Sequence, residues 1–279
     1  MEDYTTVIKP KDRLFEVNLK EIWQYRDLFS MFVKRDIVTQ YKQTILGPAW
    51  FFIQPLFTMV MYMVVFGGIA GISTDGLPQA LFYLSGILCW QYFSDCLNKT
   101  SNTFLNNQGI FGKVYFPRLI VPLSVVTSNL LRLGIQLSLF LVVYVFYLVS
   151  GVPVKPNWYV LLFPVLIVML AGLALGFGII ISSMTTKYRD LQYLVGFGVG
   201  LWMYATPVIY PVSSIPEKWR WVANVNPVTP IIETFRAGFL GAGDASWPRL
   251  AYSFGFMLVV VFIGVMIFNR VEKTFIDTV

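Results

Sequence analysis

The stretch from Trp158 to Ser183, WYVLLFPVLIVMLAGLALGFGIIISS, contains no charged side chain along its whole length. A helix of about 20 mostly apolar residues crosses the hydrocarbon core of a bilayer. Similar segments recur on both sides of it and predict six spans, at about 49–70, 79–97, 119–149, 158–183, 191–210 and 250–268. The second is the weakest, because Gln79, Gln91 and Asp95 interrupt it. The sequence therefore predicts an all-α membrane protein with six transmembrane helices.

The composition agrees with this fold class and argues against most enzymes. Of the 279 residues, 56% are hydrophobic and only 13% are charged, whereas soluble domains have roughly 25% charged residues. The chain has no histidine, which removes the most frequent general base and metal ligand. Cys89 and Cys96 lie in or beside one apolar segment, where cysteines behave as small hydrophobic residues. We therefore expect no catalytic residue, no metal site and no cofactor bound to this chain.

The net charge of +6 is explained by membrane topology. Six spans place both termini on one side. With that side cytoplasmic, it holds fifteen of the 21 Lys and Arg residues, against five outside and Arg132 within a span. Since Lys and Arg are enriched in cytoplasmic loops, we predict a multi-pass protein with both termini in the cytoplasm. We expect no cleavable signal peptide, and no nucleic acid bound by the basic residues.

Residues before the first span are too polar to cross a membrane, yet they predict an amphipathic helix. Phe29, Val33, Ile37 and Tyr41 recur every four residues, which places them on one helical face. This helix either lies along the inner leaflet or is buried against the spans. The predicted domains are a cytoplasmic N-terminal segment (1–48), a transmembrane domain (49–268) and a cytoplasmic tail (269–279).

A cytoplasmic loop at 104–116 carries more apolar residues than a simple connection needs. These residues are Phe104, Leu105, Ile110, Phe111, Tyr115 and Phe116. An exposed apolar patch usually marks a docking surface, although the same pattern is typical of an amphipathic turn on the lipid headgroups. The residues leave both interpretations open.

On the predicted outer side, the segment 211–249 contains five prolines and three tryptophans. Its apolar run at 227–240 is too interrupted to span, so it either re-enters the membrane partway or lies at the outer interface. Irregular backbone at that depth must be covered by protein or line a wet cavity. A lid or gate is one interpretation, and aromatic anchoring at the headgroups is the other.

Charged residues are scarce within the predicted spans. Arg132 lies about 20 Å along the third span, where an arginine costs about 2.5–3.5 kcal/mol on insertion scales. It therefore either faces a polar pathway that attracts an anionic headgroup or pairs with a neighbouring helix. Asp95 is expected near the inner end of its span, and Glu233 and Arg236 are expected near the outer surface.

Several transport mechanisms lack the residues they need. An ion-coupled carrier needs carboxylates near the membrane midplane, and a channel needs a selectivity filter; neither can be read in the sequence. The phosphate-binding pattern G-x-x-x-x-G-K-[ST] is also absent. Energy from ATP therefore has to come from a partner that docks on the cytoplasmic side. Trp50, Tyr62, Trp202 and Tyr204 are candidates to line a path for sugars, although rings at these positions also serve packing or the membrane interface.

Four stretches, in order along the chain, form a recognisable set. They are LFSMFVKRDIVTQYKQTILGPAWFFIQPL (28–56), FGKVYFPRLIVPL (111–123), TPVIYP (206–211) and NPVTPIIETFR (226–236). The set resembles the membrane subunits of type-2 ABC exporters for polysaccharides such as O antigen, capsule or teichoic acid. The resemblance covers nearly the whole chain. It implies a homodimer of this subunit with two copies of a separate ATPase subunit, which binds MgATP.

The resemblance also implies roles for individual segments. A coupling helix within 106–115 would contact the ATPase, and gate helices would lie at 216–223 and 227–240. Spans one and five would line the path for a glycan linked to polyprenyl pyrophosphate. The candidate site residues are Asn106, Asn107, Gln108, Phe111, Lys113 and Tyr115 for coupling, Arg35 and Lys42 for attracting the phosphates, and Trp50, Tyr62, Arg132, Trp202, Tyr204, Pro227, Glu233 and Arg236 for the path or gate.

The function that the resemblance implies is that of a membrane subunit in an ATP-driven exporter. It would move lipid-linked polysaccharide from the cytoplasmic side across a bacterial inner (plasma) membrane. An exporter of small lipids or drugs is the alternative among type-2 ABC exporters. A third hypothesis, a membrane-embedded lipid-modifying enzyme, needs a cluster of acid, base or metal-binding residues. The lack of histidine and the scattered carboxylates argue against it.

Overall fold

The computed structural model describes residues 19–42, 45–111, 113–152, 154–188 and 190–278, with the backbone alone at residues 41 and 272–278. Every regular element in these ranges is a helix, and none is a β-strand. The predicted all-α fold class is therefore confirmed. Residues 1–18 of the predicted N-terminal segment and the side chain of Tyr41 lie outside the described residues.

The helices alternate between long ones that form a bundle and short ones that cover its two ends. Numbered along the chain, they are α1 (Leu19–Gln24), α2 (Arg26–Tyr41), α3 (Trp50–Tyr62), α4 (Gln79–Thr100), α5 (Thr103–Asn106), α6 (Gln108–Phe111), α7 (Ile120–Val149), α8 (Phe163–Thr185), α9 (Leu191–Tyr204), α10 (Arg220–Val225), α11 (Thr229–Leu240) and α12 (Trp247–Thr278). Short 3₁₀ segments lie at Gly47–Ala49, Trp158–Leu162, Val212–Ser214 and Glu217–Trp219, and a π-helical segment, Met63–Ile69, continues α3.

Within the described residues, four helical segments are long and apolar enough to cross a membrane. They are Gly47–Ile69, Ile120–Val149, Trp158–Thr185 and Trp247–Val271, and they match the first, third, fourth and sixth predicted spans. Helices α4 and α9 take the places of the second and fifth. Helix α9 has 14 residues and is therefore about 21 Å long. It ends at Tyr204 rather than at Tyr210, because Pro207 disfavours a helical conformation just before it.

Helix α4 lies at the centre of the bundle and packs against α3, α7, α8, α9 and α11. Sixteen of its 22 residues are buried. Protein rather than lipid surrounds α4, and two of the polar residues that weakened its prediction as a span, Gln91 and Asp95, have hydrogen-bond partners on α7. Cys89 and Cys96 also lie on this helix, where both thiols are free and buried.

Helices α8 and α12 approach each other closely at two glycines. Gly172 and Gly176 have the four-residue spacing that predicts close helix contact. A Cβ atom on Gly172 would lie 2.5 Å from Met257 Sδ, and one on Gly176 would lie 2.9 Å from Val260 Cγ1. The small residues therefore serve packing within this chain.

One end of the bundle, which we call the α2 end, comprises α1, α2, α5 and α6 and has its own apolar core. Its buried rings are Phe32, Phe104, Phe111, Phe116 and Phe268. Phe32 packs on Phe116 with 5.7 Å between ring centroids, although it lies beside the predicted apolar stripe. Phe29, Val33 and Ile37 of that stripe are half-buried. Burial against the bundle therefore describes α2 better than a position along the lipid alone.

The opposite end, which we call the α11 end, comprises α10, α11 and the connections around them. Helix α11 carries Pro230 in its first turn and ends at Gly241, which has a φ of 75°. A Cβ atom on Gly241 would lie 2.5 Å from the carbonyl oxygen of Lys155, so this position needs glycine for space as well as for conformation. Eleven of the twelve residues of α11 are buried. Most of the apolar run at 227–240 is thus a regular helix that is covered by protein.

Candidate coupling segment and transport path

Aromatic side chains attach the predicted coupling segment, 104–116, to the α2 end. Phe104 stacks on Phe268 of α12 with 4.6 Å between ring centroids, and Phe111 lies 5.8 Å from Phe104. Phe104, Phe111 and Phe116 are each at most 4% exposed. The expectation that these three rings form an exposed docking patch is therefore wrong. They fill the space between α2, α8 and α12, where an apolar ring gains more from burial than it would on the surface.

The exposed face of the coupling segment consists of other residues. Val114 and Tyr115 are 59% and 60% exposed, and Asn106 and Lys113 are also exposed. The Tyr115 hydroxyl donates to Glu21 Oε1 at 3.3 Å, which ties this face to α1. The surface available to a partner is therefore polar with one apolar and one aromatic side chain.

The other predicted coupling residues shape the segment from within. Asn107 is 8% exposed, and its side-chain amide donates to the Thr103 carbonyl at 2.9 Å. Gln108 begins α6 and is half-buried. Together with Phe111, these side chains hold the turn between α5 and α6. Of the six predicted residues, three thus face outward and three face inward. The outward ones are Asn106, Lys113 and Tyr115, and the inward ones are Asn107, Gln108 and Phe111.

A cavity of about 320 Å³ lies between α2, the end of α4, α5 and α7. Arg35, Asp36 and Lys99 are its charged lining residues. Arg35 pairs with Asp36 at 2.8 Å, and its guanidinium lies 4.6 Å above the ring of Phe32. Lys42, the second residue predicted to attract phosphates, is exposed just after α2 and does not line this cavity. The structure therefore brings Arg35 close to Lys99 rather than to Lys42.

Three polar pairs connect α4 to α7 on consecutive turns, and we call them the polar ladder. Its hydrogen bonds are Gln136 Nε2 to Gln91 Oε1 at 2.6 Å, Arg132 Nη1 to Asp95 Oδ2 at 2.6 Å, and Lys99 Nζ to Asn129 Oδ1 at 2.9 Å. Arg132 Nη2 also donates to Gln54 Oε1 of α3 at 2.8 Å. The structure therefore shows Arg132 paired with neighbouring helices.

Sequence reasoning noted Asp95 and Arg132 one at a time and missed the ladder. The signal for it was present in the spacing of the polar residues. Residues 91, 95 and 99 are four apart, and residues 129, 132 and 136 are three and four apart. Such spacings place each set on a single helical face. Two polar faces on consecutive predicted spans therefore indicate that the two helices pair through them.

Two predicted path residues are on outward faces. Trp50 at the start of α3 is 47% exposed, and Tyr204 at the end of α9 is 58% exposed. Helix α9 exposes further large side chains, namely Tyr193, Leu194, Phe197 and Leu201. A Cβ atom on Gly196 or Gly200 would meet nothing within 4 Å. In the described part of the chain, helix α9 therefore has an exposed apolar face, and no atom lies close to its two glycines.

The other two path candidates face inward. Trp202 packs edge-on against Phe93 and Phe177, with 5.1 and 5.4 Å between ring centroids. Tyr62 is half-buried, and its hydroxyl donates to Met203 Sδ at 3.5 Å. These two rings join α3, α4, α8 and α9, and packing is the role that the structure shows for them.

Arg236 of α11 is fully enclosed, with 1% of its side chain exposed. Its guanidinium donates to the carbonyl oxygens of Pro207 and Val208 at 2.6 and 2.8 Å and to Glu233 Oε1 at 3.1 Å. It also lies 3.8 Å above the ring of Phe82. Protein therefore encloses Arg236 and Glu233, and the pair closes a buried network. The position of the pair near the outer surface of the membrane stays a prediction.

Two further hydrogen bonds hold the connection between α9 and α11. Asn226 Nδ2 donates to Thr206 Oγ1 at 2.8 Å, and Ser253 Oγ of α12 donates to the carbonyl of Pro227 at 2.7 Å. Pro227, a predicted gate residue, is itself buried. The segments TPVIYP and NPVTPIIETFR are therefore joined by hydrogen bonds.

Comparison with known proteins agrees with this architecture. The sequence profile of the ABC-2 type transporter matches residues 27–240. The O-antigen export system permease protein RfbA of Myxococcus xanthus is 30% identical over 223 residues, which cover 79% of this chain and 83% of that protein. A Klebsiella pneumoniae protein of the same name is 29% identical, with 90% and 94% covered. The polysialic acid transport protein KpsM of Escherichia coli is 22% identical, with 88% and 93% covered. The profile spans most of the chain, and the chain therefore belongs to the ABC-2 type transporter family, as an integral membrane transport subunit.

Proposed function

We propose that this chain is the permease of an ATP-driven exporter that moves lipid-linked polysaccharide out of the cytoplasm across a bacterial inner (plasma) membrane. The observation that carries the proposal is the similarity along nearly the full length to permeases named for O-antigen export and for polysialic acid transport. These two polymers differ chemically, so the likeness supports polysaccharide as a class rather than one particular sugar.

The arrangement of the α2 end supports coupling to a separate ATPase. In the proposal, this end faces the cytoplasm, as do both termini. A partner would bind the outward side chains of Asn106, Lys113 and Tyr115. Because Phe104 and Phe111 insert into a core shared with α12, a displacement of the coupling segment would be passed to the long helices.

The cavity at the α2 end supports the arrival of a phosphate-bearing lipid. Arg35 and Lys99 line it together with Asp36, which pairs with Arg35, and with neutral hydrogen-bonding side chains. Charge-assisted hydrogen bonds to phosphate are stronger than neutral ones. In the proposal the pyrophosphate of the lipid carrier approaches this region, and Lys42 adds positive charge nearby.

The uncovered face of α9, together with the exposed Phe57 and Met61 of α3, supports a homodimer around a shared path. In the proposal each subunit binds one copy of the ATPase. Exposed apolar faces of this kind are satisfied either by lipid or by another protein. Because Gly196 and Gly200 have no side chains, another helix can approach this part of α9 closely.

The test is to delete the gene in its native host and to return the wild-type gene or variants on a plasmid. We expect surface glycan to disappear in the deletion strain and lipid-linked glycan to accumulate inside, because the carrier is filled but not transported. Gel electrophoresis of surface polysaccharide and mass spectrometry of the lipid extract measure both. Unchanged glycan, with loss of export of a small lipid or drug, would replace the cargo with that of the alternative exporter.

The same strains test the coupling segment with a matched pair of variants. The double variant K113A/Y115A removes two outward side chains, so it should insert normally but lose both export and co-purification of the ATPase. The variant F111A should instead lower the yield of folded protein, because it opens a cavity in the aromatic core. Normal co-purification of an ATPase with K113A/Y115A would exclude this face as the docking surface.

A further inference from the structure

A second cavity, of about 490 Å³, lies at the α11 end. Its wall is built from parts of the chain that are far apart in sequence. They include Asp75 between α3 and α4, Ser213 after α9, Asn224 of α10 and Arg249 of α12. The volume is within the range of about 300–1,000 Å³ that is usual for small-molecule sites. The cavity therefore has room for a ligand much larger than a single ion.

Asp75 presents a carboxylate that already accepts a hydroxyl. The Ser213 hydroxyl oxygen lies 2.8 Å from both carboxylate oxygens of Asp75. Asp75 has a φ of 53°, the one positive φ of a residue other than glycine within the described ranges. Such backbone conformations are uncommon and concentrate at functional sites. A hydroxyl shared between two carboxylate oxygens is the contact that a sugar hydroxyl would make here.

Four of the five charged lining residues of this cavity belong to ion pairs, two of which have their partner outside the wall, and the fifth, Asp75, accepts the Ser213 hydroxyl. The pairs are Arg249 with Asp244, Arg220 with Glu217, and Glu233 with Arg236. Among the described residues, no group of three His, Cys, Asp or Glu side chains is placed to hold a metal ion. The wall has three acidic and two basic side chains, so it does not favour a free anion. It offers both donors and acceptors to an uncharged ligand with many hydroxyl groups.

Helix α10 supplies a further polar group to the cavity wall and carries an exposed tryptophan outside that wall. Asn224 carries an amide that both donates and accepts hydrogen bonds, and it is exposed. Trp221, three residues earlier on the same helix, is 60% exposed. Residues three apart on a helix are neighbours, so an aromatic face lies beside the polar group.

We propose that this cavity binds an uncharged, hydroxyl-rich segment of the glycan at the α11 end, with the Asp75 carboxylate accepting sugar hydroxyls. The inference rests on the proposed function, since it assumes that glycan reaches this end of the molecule. It assigns a binding role to the connection between α3 and α4, which contains none of the motifs that mark the family.

Protection of an introduced cysteine tests the site. Cys89 and Cys96 are buried, so a maleimide should label the unmodified protein slowly. The variant V212C places a thiol at an apolar position in the cavity wall, and K218C places one nearby but outside it. The probe is the surface polysaccharide of the native host, freed from lipid by mild acid and added to the full-length protein purified in mild detergent with its partners. Inorganic phosphate at equal concentration is the control ligand.

We expect the polysaccharide to slow labelling of V212C about fivefold at a concentration four times its Kd, since the unoccupied fraction falls to one fifth. Labelling of K218C should not change. The double variant D75N/V212C should label at the V212C rate without polysaccharide, elute as a folded protein in size-exclusion chromatography, and lose the protection. Together these results would support the site.

Equal labelling of V212C with and without polysaccharide would overturn the inference, and so would equal protection by phosphate, which would indicate an anion site. The deletion strain separates this failure from failure of the proposed function. If surface glycan is lost on deletion but V212C is not protected, the exporter stands and the cavity assignment is wrong. If surface glycan survives deletion, the proposed function fails and the cavity assignment fails with it.

Discussion

Two arginines lie among the packed helices of this protein, and their surroundings differ sharply. Arg236 donates to three backbone carbonyls, one hydroxyl and one carboxylate, and it has 1% of its side chain exposed. Arg132 donates only to side chains, those of Asp95 and Gln54, and has 14% exposed. Its Nε atom is buried without a hydrogen-bond partner in the structure. The first arginine completes a fixed backbone arrangement, whereas the second joins helices through groups that can change rotamer.

The reason for the difference lies in what each arginine satisfies. Helix α9 ends before Pro207, so the carbonyls of Pro207 and Val208 have no helical partner, and an unpaired buried carbonyl is costly. The Arg236 guanidinium has five N–H donors in a rigid fork and serves both carbonyls at once. Around Arg132 the backbone is helical and already paired, so only side chains are left as partners.

The largest effect is therefore expected at Arg236. The variant R236A would leave Glu233 as an unpaired buried charge and two carbonyls without donors, and removing one partner of a buried ion pair costs about 3–5 kcal/mol. We expect most of the protein to be lost from the membrane or to unfold early in a thermal scan in mild detergent. The variant R270A, at an exposed arginine of α12, is the control and should shift unfolding by no more than about 0.5 kcal/mol. A stable R236A protein would show that the comparison between the two arginines is wrong.

The pair formed by Arg132 and Asp95 should give a smaller, measurable effect. We expect a double-mutant cycle of D95A and R132A to show a coupling free energy of at least about 1 kcal/mol, because charge-assisted hydrogen bonds are roughly twice as strong as neutral ones. Unfolding by sodium dodecyl sulfate in mixed micelles measures the four free energies. The exposed pair of Glu217 and Arg220, 3.9 Å apart with 90% and 49% exposed, is the control cycle and should show almost no coupling. Equal coupling in the two cycles would mean that the Arg132 pair behaves as a surface pair.

The contrast also shows which features of the structure can be predicted from the sequence. Apolar length identifies the long helices, and the charge distribution predicts their orientation, because these properties are summed over many residues. Burial of a single charged residue depends on distant parts of the chain. Arg236 and Glu233 follow a proline-rich run that looks like surface, and nothing local indicates that α11 is enclosed by α4, α8 and α12. The sequence therefore does not predict that protein encloses both side chains.

In the coupling segment, too, burial depends on distant parts of the chain, but here the residues are apolar instead of charged. Its many phenylalanines predict an apolar surface when the loop is considered alone. Phe104 instead stacks on Phe268, which lies more than 150 residues later in the chain, and Phe111 packs on Phe104. A short loop cannot reveal such a partner, so the segment was identified correctly as unusual while the inward and outward rings were not distinguished.

The smallest coupling free energy is expected for the uncharged pair of the polar ladder, Gln91 and Gln136. Gln136 and Gln91 join α7 to α4 one turn away from Arg132, so the two pairs share helices and differ in charge. Neutral hydrogen bonds between membrane helices contribute about 0.6 kcal/mol on average in double-mutant cycles. We expect that coupling for Q91L and Q136L, and we expect the double variant to be close to wild type, since replacing both polar partners with apolar groups of similar size is nearly neutral. The same micelle titration measures it. If the glutamine pair couples as strongly as the Arg132 pair, charge is not what distinguishes Arg132. All the pairs of the ladder would then contribute alike, and close packing of α4 against α7 would determine their strength.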